Sequence, residues 1–366
     1  MDFAFTEEQD AVGDLTTQIL AGRSTHERLR EIEKAEGPRF DRDTWAELAN
    51  AGVLGIALPE SAGGAGLGLV ELARVLQATG KAGALVPAFE TLALGALPVA
   101  RFGSDDVAAE WLPGVADGSK VLTAAWTEDS RDRELLSTTA TAADGGHRVT
   151  GKKICVPAGA IADGVVVPAL LDGAPALLLV PVGAEVEVTP LLTTAGSPDA
   201  TLVFTDAPAT LLATGPEAIE WAFERAVALQ CAVALGNAEA MLDLLAAYTK
   251  ERKQFDVPIA MFQAVGHRAA DSYIDVEAIR LTTWQAVTRL EDGLAASAEV
   301  SVAKHWGAWA GQRLTLAAAH LHGGVGVDRD YPLARHFTKA KELELLLGGS
   351  SEHLLRVGGL IAAGTA

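Results

Sequence analysis

Positive charge and cysteine are both scarce in this sequence. Lys and Arg number 29 against 48 Asp and Glu, which gives a net charge of -19 and an isoelectric point near 4.8. Nucleic acid and anionic membrane surfaces repel such a surplus of carboxylates, so we expect neither as a partner. Cys155 and Cys231 are the only cysteines and lie far apart, so we expect neither a disulfide framework nor a metal site.

Signals for export or membrane insertion are also lacking. The N-terminus is acidic and has no basic segment followed by an apolar one, and apolar runs elsewhere are broken by Gly, Pro or charge. We therefore expect a cytoplasmic protein. What the 366-residue chain does have is 49% hydrophobic residues against 21% charged ones, enough to bury large cores and subunit interfaces in two or three packed units.

Helical patterns occupy the first third of the chain. Thr6 and Gln9 form a predicted capping box, and apolar residues then recur at helical spacing. A second helix is predicted over residues 43–52, before a Gly-rich loop at 59–66. Another helix is predicted from about Leu69.

The middle of the chain has short β-rich runs instead. They cover residues 148–156, 164–171, 176–182, 186–192 and 200–205. Asp144-Gly145-Gly146 is a hairpin-turn signal before the first of them. Because no helices intervene, the spacing predicts an antiparallel sandwich or barrel and not a doubly wound parallel sheet.

After Gly215-Pro216 the chain becomes helical again. The predicted helices cover about residues 216–252, 263–290, 297–320, 333–346 and 351–361. This favours a four-helix bundle with a terminal helix. The fold class is therefore α+β, with an N-terminal helical domain at 1–118, a middle antiparallel β domain at 119–213 and a C-terminal helical bundle at 214–366.

Local motifs form an ordered set along the chain. They are Pro59-Glu60 with Gly63-Gly64 and Gly66; Leu112-Pro113 with Gly118 and Thr127-Glu128; Glu251-Arg252-Lys253-Gln254-Phe255 with Phe262-Gln263-Ala264; and Gly323-Gly324-Val325-Gly326 with Asp330-Tyr331-Pro332 and Ala340-Lys341. Over roughly residues 3–360 this set resembles the acyl-CoA dehydrogenase family. The resemblance implies that family's fold and its FAD-dependent reaction, in which a Glu removes the proton α to a thioester while the β hydrogen leaves as hydride to the flavin.

The carboxylate that this chemistry needs is missing. Counting from Gly323-Gly324, the family's usual Glu falls on Leu347, and the alternative position of some relatives falls on Ala226. Glu224 lies two residues from that second position, which on a helix is about 200° of rotation. Glu344 lies one turn before Leu347 and is predicted to be a solvated charge beside Lys341. No residue of this chain is therefore assigned as the catalytic base.

The residues that should face the flavin ring are altered too. After Thr127-Glu128 the resemblance leads us to expect small residues, but the chain has Asp129, Ser130 and the charged run 131–134. The family's Trp-Ile-Thr signature is replaced by Cys155-Val156-Pro157, and proline has no backbone donor. We expect Cys155 to be a small buried side chain and not a redox group.

What the resemblance does retain is the half of the FAD site that a subunit supplies across an interface. The assigned cofactor-binding residues are Arg252, Gln254, Phe255, Gln263, His320, Gly323, Gly324 and Gly326. Arg252 suits a diphosphate by its charge and forked donors, and the glycines allow close backbone approach. His320 stands where the family usually has Gln, and Asp256 replaces a usual Gly, so the shape of that loop is open.

The chain thus keeps one half of the FAD site and lacks the base and the residues that face the flavin ring. In this it resembles the β-type subunits of actinobacterial α2β2 acyl-CoA dehydrogenases that act on steroid side-chain CoA thioesters. The resemblance implies a base-containing homologous partner, FAD shared across the interface, an acyl-CoA bound mainly by the partner, and electron-transfer flavoprotein or a similar acceptor. Two alternatives remain open at this point. One is a self-sufficient homotetramer whose base is Glu344 or Glu224, and the other is a scaffold or acyl-CoA binder without flavin.

Overall fold

The computed structural model describes residues 4–130, 136–143 and 145–365. Its chain forms two compact units: Met1–Arg30, Ala73–Ala84 and Val227–Ala366 make one, and Glu31–Leu72 and Leu85–Ala226 make the other. The N-terminal helical region thus contributes to both units. The turn residue Asp144 and the charged run 131–134 lie outside the described residues, and the three domain boundaries stay a prediction.

The first third of the chain is helical, as predicted. Its elements are α1 (Glu7–Arg23), α2 (His26–Lys34), α3 (Arg42–Asn50), α4 (Leu69–Ala82), a π-helix (Phe89–Ala96), α5 (Leu97–Phe102) and α6 (Asp105–Ala116). The Thr6 hydroxyl accepts a hydrogen bond from the Gln9 N–H, and the Gln9 side chain accepts one from the Thr6 N–H, so the capping box is confirmed. The helix predicted over 43–52 is α3, followed by Gly52 in the left-handed conformation.

The β region comprises β1 (Leu122–Ala124), β2 (Thr139–Ala143), β3 (Gly146–Val156), β4 (Gly164–Leu171), β5 (Ala174–Pro181), β6 (Val186–Pro190) and β7 (Ala200–Thr214). The strands β4, β2, β3, β7 and β5 form a circuit, because β5 pairs back onto β4. This is the predicted barrel. β7 runs on to Thr214 because its second half pairs with β5.

Two strand pairs depart from the predicted antiparallel arrangement. β2 and β1 both run parallel to β4. A circuit of five strands cannot alternate direction all the way round, so at least one pair in it must be parallel, and here it is β2 with β4. Inside the circuit, aliphatic side chains from facing strands form one core with Phe204.

The remaining elements are α7 (Pro216–Glu251), β8 (Lys253–Gln254), β9 (Val257–Pro258), α8 (Gln263–Glu291), α9 (Ser297–His322), α10 (Leu333–Leu345) and α11 (Ser350–Ala363). The predicted helices agree with these bounds to within about two residues. α7 is long and apolar enough to cross a bilayer, but 72% of the window that qualifies is buried inside the protein. That burial is typical of a core helix.

Glycines allow α4 and α7 to approach almost backbone to backbone. A Cβ on Gly236 would lie 1.9 Å from the Gln77 carbonyl oxygen, and one on Gly80 would lie 2.2 Å from that of Val233. The close approach brings the Gln77 amide within 2.8 Å of the Glu239 carboxylate, which also pairs with Arg280 at 2.7 Å. α4, α7 and α8 are thereby tied together.

Candidate functional site

The helix directions decide which site residues meet. α8 and α9 run antiparallel, since contacts join Arg268 to His320 at 2.6 Å, Asp275 to Arg313 at 3.4 Å and Arg289 to Glu299 at 3.1 Å. α7 and α9 run in the same direction, since Met241 meets Thr315 and Tyr248 stacks on His322. The end of α7, the β8–β9 hairpin, the start of α8 and the end of α9 therefore share one end of the bundle, which we call the hairpin end.

The β8–β9 hairpin closes with a tight two-residue turn, with Asp256 at the position where the resemblance leads us to expect Gly. Gln254 pairs with Val257, and Phe255 and Asp256 between them have φ of 53° and 67°. Two successive positive φ values characterise the tight hairpin turn that matches strand twist. Asp tolerates this conformation, whereas Phe255 carries strain of about 1 kcal/mol. Asp256 is therefore compatible with a regular hairpin turn.

Phe255 is held at the tip of this hairpin. Its side chain is 87% exposed, and its ring meets the edge of the Phe262 ring at a centroid distance of 6.1 Å. A strained, exposed aromatic at a turn contributes little to the packing of its own chain. Its ring is therefore available to a ligand or a second subunit.

Arg252 lies at the base of the same hairpin. Its backbone N–H donates to the Tyr248 carbonyl and its own carbonyl accepts from Ile259, both at 2.8 Å, while its side chain is exposed. Glu251 and Asp256 flank it, yet within residues 4–130, 136–143 and 145–365 no carboxylate pairs with the Arg252 guanidinium. Gln263, also exposed, begins α8 close after the hairpin.

His320 meets a cation that sequence reasoning missed. The Arg268 Nη1 lies 2.6 Å from the His320 Nδ1, and both side chains are exposed. The sequence did offer a signal for this residue. Arg268 is a cation five residues after Gln263 on a predicted helix, in a chain where cations are scarce. Only the packing of α8 on α9 made it a neighbour of His320.

The three glycines of the turn after α9 have different surroundings. Gly323 ends α9 with φ of 63°, and neither it nor Gly324 has any atom within 4 Å of the place a Cβ would take. A Cβ on Gly326 would lie 2.5 Å from the Ala319 carbonyl oxygen, so this glycine packs against α9. The open backbone is therefore at Gly323 and Gly324, whereas Gly326 serves the fold.

Below that turn a buried histidine supports it. The His322 Nδ1–H donates to the Ala318 carbonyl at 2.7 Å, and the ring stacks on Tyr248 at 4.4 Å between centroids. Burial lowers the pKa of His322, which keeps the imidazole neutral. The turn thus rests on a fixed aromatic stack.

These features suit the adenosine diphosphate half of FAD. Two guanidinium groups that no carboxylate pairs with among the described residues can bind phosphate oxygens. The exposed Phe255 ring can cover a planar base, and the open backbone of Gly323 and Gly324 leaves room for close approach. The hairpin end therefore offers donors, an aromatic face and space.

The turn that carries Leu347 is fully formed. We call residues 345–350, between α10 and α11, the base turn. Leu347 has φ of 61° and is 8% exposed, and its carbonyl accepts from the His353 Nε2 at 2.9 Å. The Gln230 amide donates to the Leu346 carbonyl at 3.0 Å, and the Lys304 ammonium donates to that of Leu343. Buried polar side chains thus hold the turn in a conformation that costs a leucine about 1 kcal/mol.

Lys304 is a fully buried cation beneath this turn. Burial lowers the pKa of Lys304 to about 8, and burial raises the pKa of the neighbouring Cys231 thiol to about 12. Glu344 pairs with Lys341 at 2.5 Å, and the Glu352 carboxylate accepts from the Gly349 N–H at 2.8 Å. These nearby carboxylates are thus engaged with groups of their own chain.

The second base position is apolar as well. Ala226 is fully buried on α7. Glu224, two residues earlier, is half-buried and has contacts within the chain. Its direction from the helix axis differs by about 200° from that of Ala226.

In the β domain, the Thr127-Glu128 motif anchors a buried ion pair. The Glu128 carboxylate lies 2.6 Å from the Lys153 ammonium, and it also accepts from the Ser137 and Thr138 N–H groups. Burial opposes ionisation, yet the hydrogen bonds and charge of Lys153, with Ser137, lower the pKa of Glu128 to about 2. The motif therefore holds β2 and β3 to the segment after β1.

The prediction that Cys155 is buried was wrong. Its side chain is exposed because it occupies a bulge of β3, with φ of 50°, where the pairing with β7 shifts between Lys153 and Val156. Partial burial and the charge of Asp199 raise the pKa of its thiol. The Pro157 carbonyl accepts from the Thr123 hydroxyl at 2.6 Å.

Comparison with known proteins gives consistent matches. Models of the N-terminal and C-terminal domains of acyl-CoA dehydrogenases match residues 6–119 and 213–359. Acyl-CoA dehydrogenase FadE27 of Mycobacterium tuberculosis is 40% identical, with 98% of both chains covered. A chain of the Tcur3481–Tcur3483 steroid ACAD is 41% identical with a TM-score of 0.92 over 98% of both chains, and one of the ChsE4–ChsE5 complex from Mycobacterium tuberculosis is 39% identical with 0.93 over 99% of both.

Proposed function

The chain belongs to the acyl-CoA dehydrogenase family, and from this we propose that it is a subunit without a catalytic base that completes the FAD site of a homologous, base-containing partner. The observation that carries the proposal is the base turn. The turn is fully formed, but its central residue, Leu347, has a hydrocarbon side chain where the family usually has a carboxylate. The relatives named above include two complexes of paired subunits, which supports a hetero-oligomer.

In this proposal the two halves of the chemistry come from different chains. Bound FAD supplies the hydride acceptor for α,β-dehydrogenation of the acyl-CoA. The partner contributes the carboxylate and the pocket for the flavin ring. Arg252 of this chain holds the diphosphate, and Gln254, Phe255 and Gln263 hold or cover the adenosine end. His320, Gly323 and Gly324 complete the cradle, whereas Gly326, which the sequence also assigned to the cofactor, packs against α9 and supports the turn.

The base turn cannot remove a proton from a substrate. Leu347 has no ionisable group, and the nearest carboxylate on α10, that of Glu344, is paired with Lys341. An oligomer of two such chains and two partners would then have two active sites, which leaves room for a bulky acyl group. By analogy with the steroid ACAD, we propose a steroid side-chain CoA thioester as substrate, with electron-transfer flavoprotein or a similar acceptor and a cytoplasmic location.

Co-expression with a base-containing homologue tests this directly. We expect a stable complex with about one FAD per two chains by absorbance, and a colourless, inactive chain when it is expressed alone. One FAD per chain, or a yellow chain that oxidises an acyl-CoA by itself, would contradict the proposal and favour a base at Glu344 or Glu224.

Arg252→Ala in the purified complex gives the second test. Loss of a forked, charge-assisted contact to phosphate should weaken FAD binding by roughly 100-fold. The FAD affinity of Arg252→Lys should fall between that of the wild type and that of Arg252→Ala, because lysine keeps the positive charge but lacks the forked donors. Lys250→Ala, which removes an exposed cation in the last turn of α7, two residues before Arg252, serves as the control. Unchanged flavin content in Arg252→Ala would favour a scaffold without flavin.

A further inference from the structure

The contact between Arg268 and His320 has no role in the proposed function. Arg268 lies on α8 at the hairpin end, and in the part of the chain that the structure describes its guanidinium contacts a histidine and pairs with no carboxylate. In a chain with a net charge of -19, a cation has many carboxylates with which it could form an ion pair. A guanidinium directed at an imidazole in such a chain therefore points to a function in binding.

We propose that Arg268 is a positioning residue that fixes the tautomer of His320 and makes its Nε2–H a donor to an acceptor atom on the adenosine diphosphate half of FAD. The inference rests on the proposed function and deepens it.

The tautomer follows from the chemistry of the two groups. A guanidinium has N–H donors only and accepts no hydrogen bond. At 2.6 Å from the Arg268 Nη1, the His320 Nδ1 must present its lone pair, so the single proton of the neutral ring is on Nε2. If the His320 ring were doubly protonated, its Nδ1–H would face an N–H of Arg268, and the two positive charges would repel each other.

This arrangement differs from that of the glutamine that usually stands at this position in the family. A glutamine amide has both a donor and an acceptor and can rotate to present either one. His320 held by Arg268 presents a donor alone. The pair therefore selects an acceptor such as a phosphate oxygen or a ring nitrogen, and the remaining N–H groups of Arg268 add positive potential at the hairpin end.

The open backbone nearby agrees with a ligand at this place. His320 is in the last turn of α9, and Gly323 and Gly324 follow it with no atom within 4 Å of their Cβ positions. Phosphate oxygens favour positive charge together with accessible backbone donors. The Arg268–His320 pair and these glycines thus border the same space.

Titration of FAD into the flavin-free complex tests the pair through a double-mutant cycle. Arg268→Met should weaken FAD binding roughly tenfold, since the donor on His320 loses its orientation. His320→Gln, which keeps an N–H donor at this position, provides the second background, and its own FAD affinity is the reference there. In the His320→Gln background, Arg268→Met should then cost less than roughly twofold, because an amide needs no arginine to select its donor.

Two results would overturn the inference. One is full FAD affinity in Arg268→Met, and the other is an equal loss in both backgrounds, which would mean that Arg268 acts by charge alone. Arg289→Met, which removes an α8 arginine at the opposite end of the helix, should leave FAD affinity unchanged. Thermal unfolding of each flavin-free complex verifies that the subunits remain folded.

Comparison with Arg252→Ala separates this inference from the proposed function. If Arg252→Ala loses FAD while Arg268→Met retains it, the positioning role fails and the proposed function stands. If neither substitution changes FAD binding, the proposed function fails and this inference fails with it.

Discussion

The base turn and the hairpin end differ in how they use backbone strain. Leu347 and Phe255 both have positive φ, which is unfavourable for large side chains. Leu347 is buried and its turn is held by Gln230, Lys304 and His353, so the strain is supported from within the chain. Phe255 is exposed, so its own chain gives its ring little support. The difference agrees with the proposed function, in which FAD and a partner subunit contact the hairpin end.

The largest expected effect concerns Lys304 beneath the base turn. Its pKa falls from 10.5 in the unfolded chain to about 8 in the folded one, so folding carries a penalty for the buried charge below pH 8. As the pH rises from 8 to 10.5, the unfolded chain binds more protons than the folded one, and stability rises. Relative to Lys304→Met, the wild type should gain about 3 kcal/mol across this window.

Urea unfolding of both proteins at several pH values measures this difference. Lys341→Met removes a more exposed lysine of the same region and serves as the control for loss of a lysine side chain. Parallel curves for the wild type and Lys304→Met would mean that Lys304 is not desolvated, and the base turn would then lack the internal support described above.

Substitutions at Gly326 and Gly324, at the hairpin end, should distinguish a glycine that the fold needs from one that ligand binding needs. Gly326→Ala places a methyl group 2.5 Å from the Ala319 carbonyl oxygen and should destabilise the chain by about 2 kcal/mol in urea unfolding. Gly324→Ala meets nothing within 4 Å and should leave stability unchanged while it weakens FAD binding by the complex. If Gly324→Ala binds FAD normally, no ligand backbone contact exists at this turn.

The smallest expected effect is a gain in stability at Phe255. Phe255→Gly removes the strain of a positive φ and gives up little burial, so the free energy of unfolding should rise by about 1 kcal/mol. The same change should lower FAD affinity, because the aromatic cover is lost. A loss of stability would show that Phe255 packs within its own chain and would remove the contrast with Leu347.

Much of the fold could be predicted from local sequence because its causes are local. The capping box of α1, the end of α3 just before the left-handed Gly52 and the helix bounds after Pro216 depend on residues within a turn or two of each other. The parallel pairing of β2 with β4 could not be predicted, because it follows from closing a circuit with five members. The exposure of Cys155 depends on a bulge opposite β7, a strand that begins 45 residues later.

The candidate site likewise has features that the sequence determined and features that only the tertiary structure decided. The sequence by itself determined that positions 347 and 226 hold no carboxylate, since side-chain identity needs no fold, and it named Arg252, His320 and the glycines. Tertiary structure alone decided that Arg268 meets His320, that Gly326 is packed while Gly324 is open, and that Leu347 is held in a left-handed turn. Each of these depends on elements far apart in the chain, whose contacts are set by helix packing and not by local propensity.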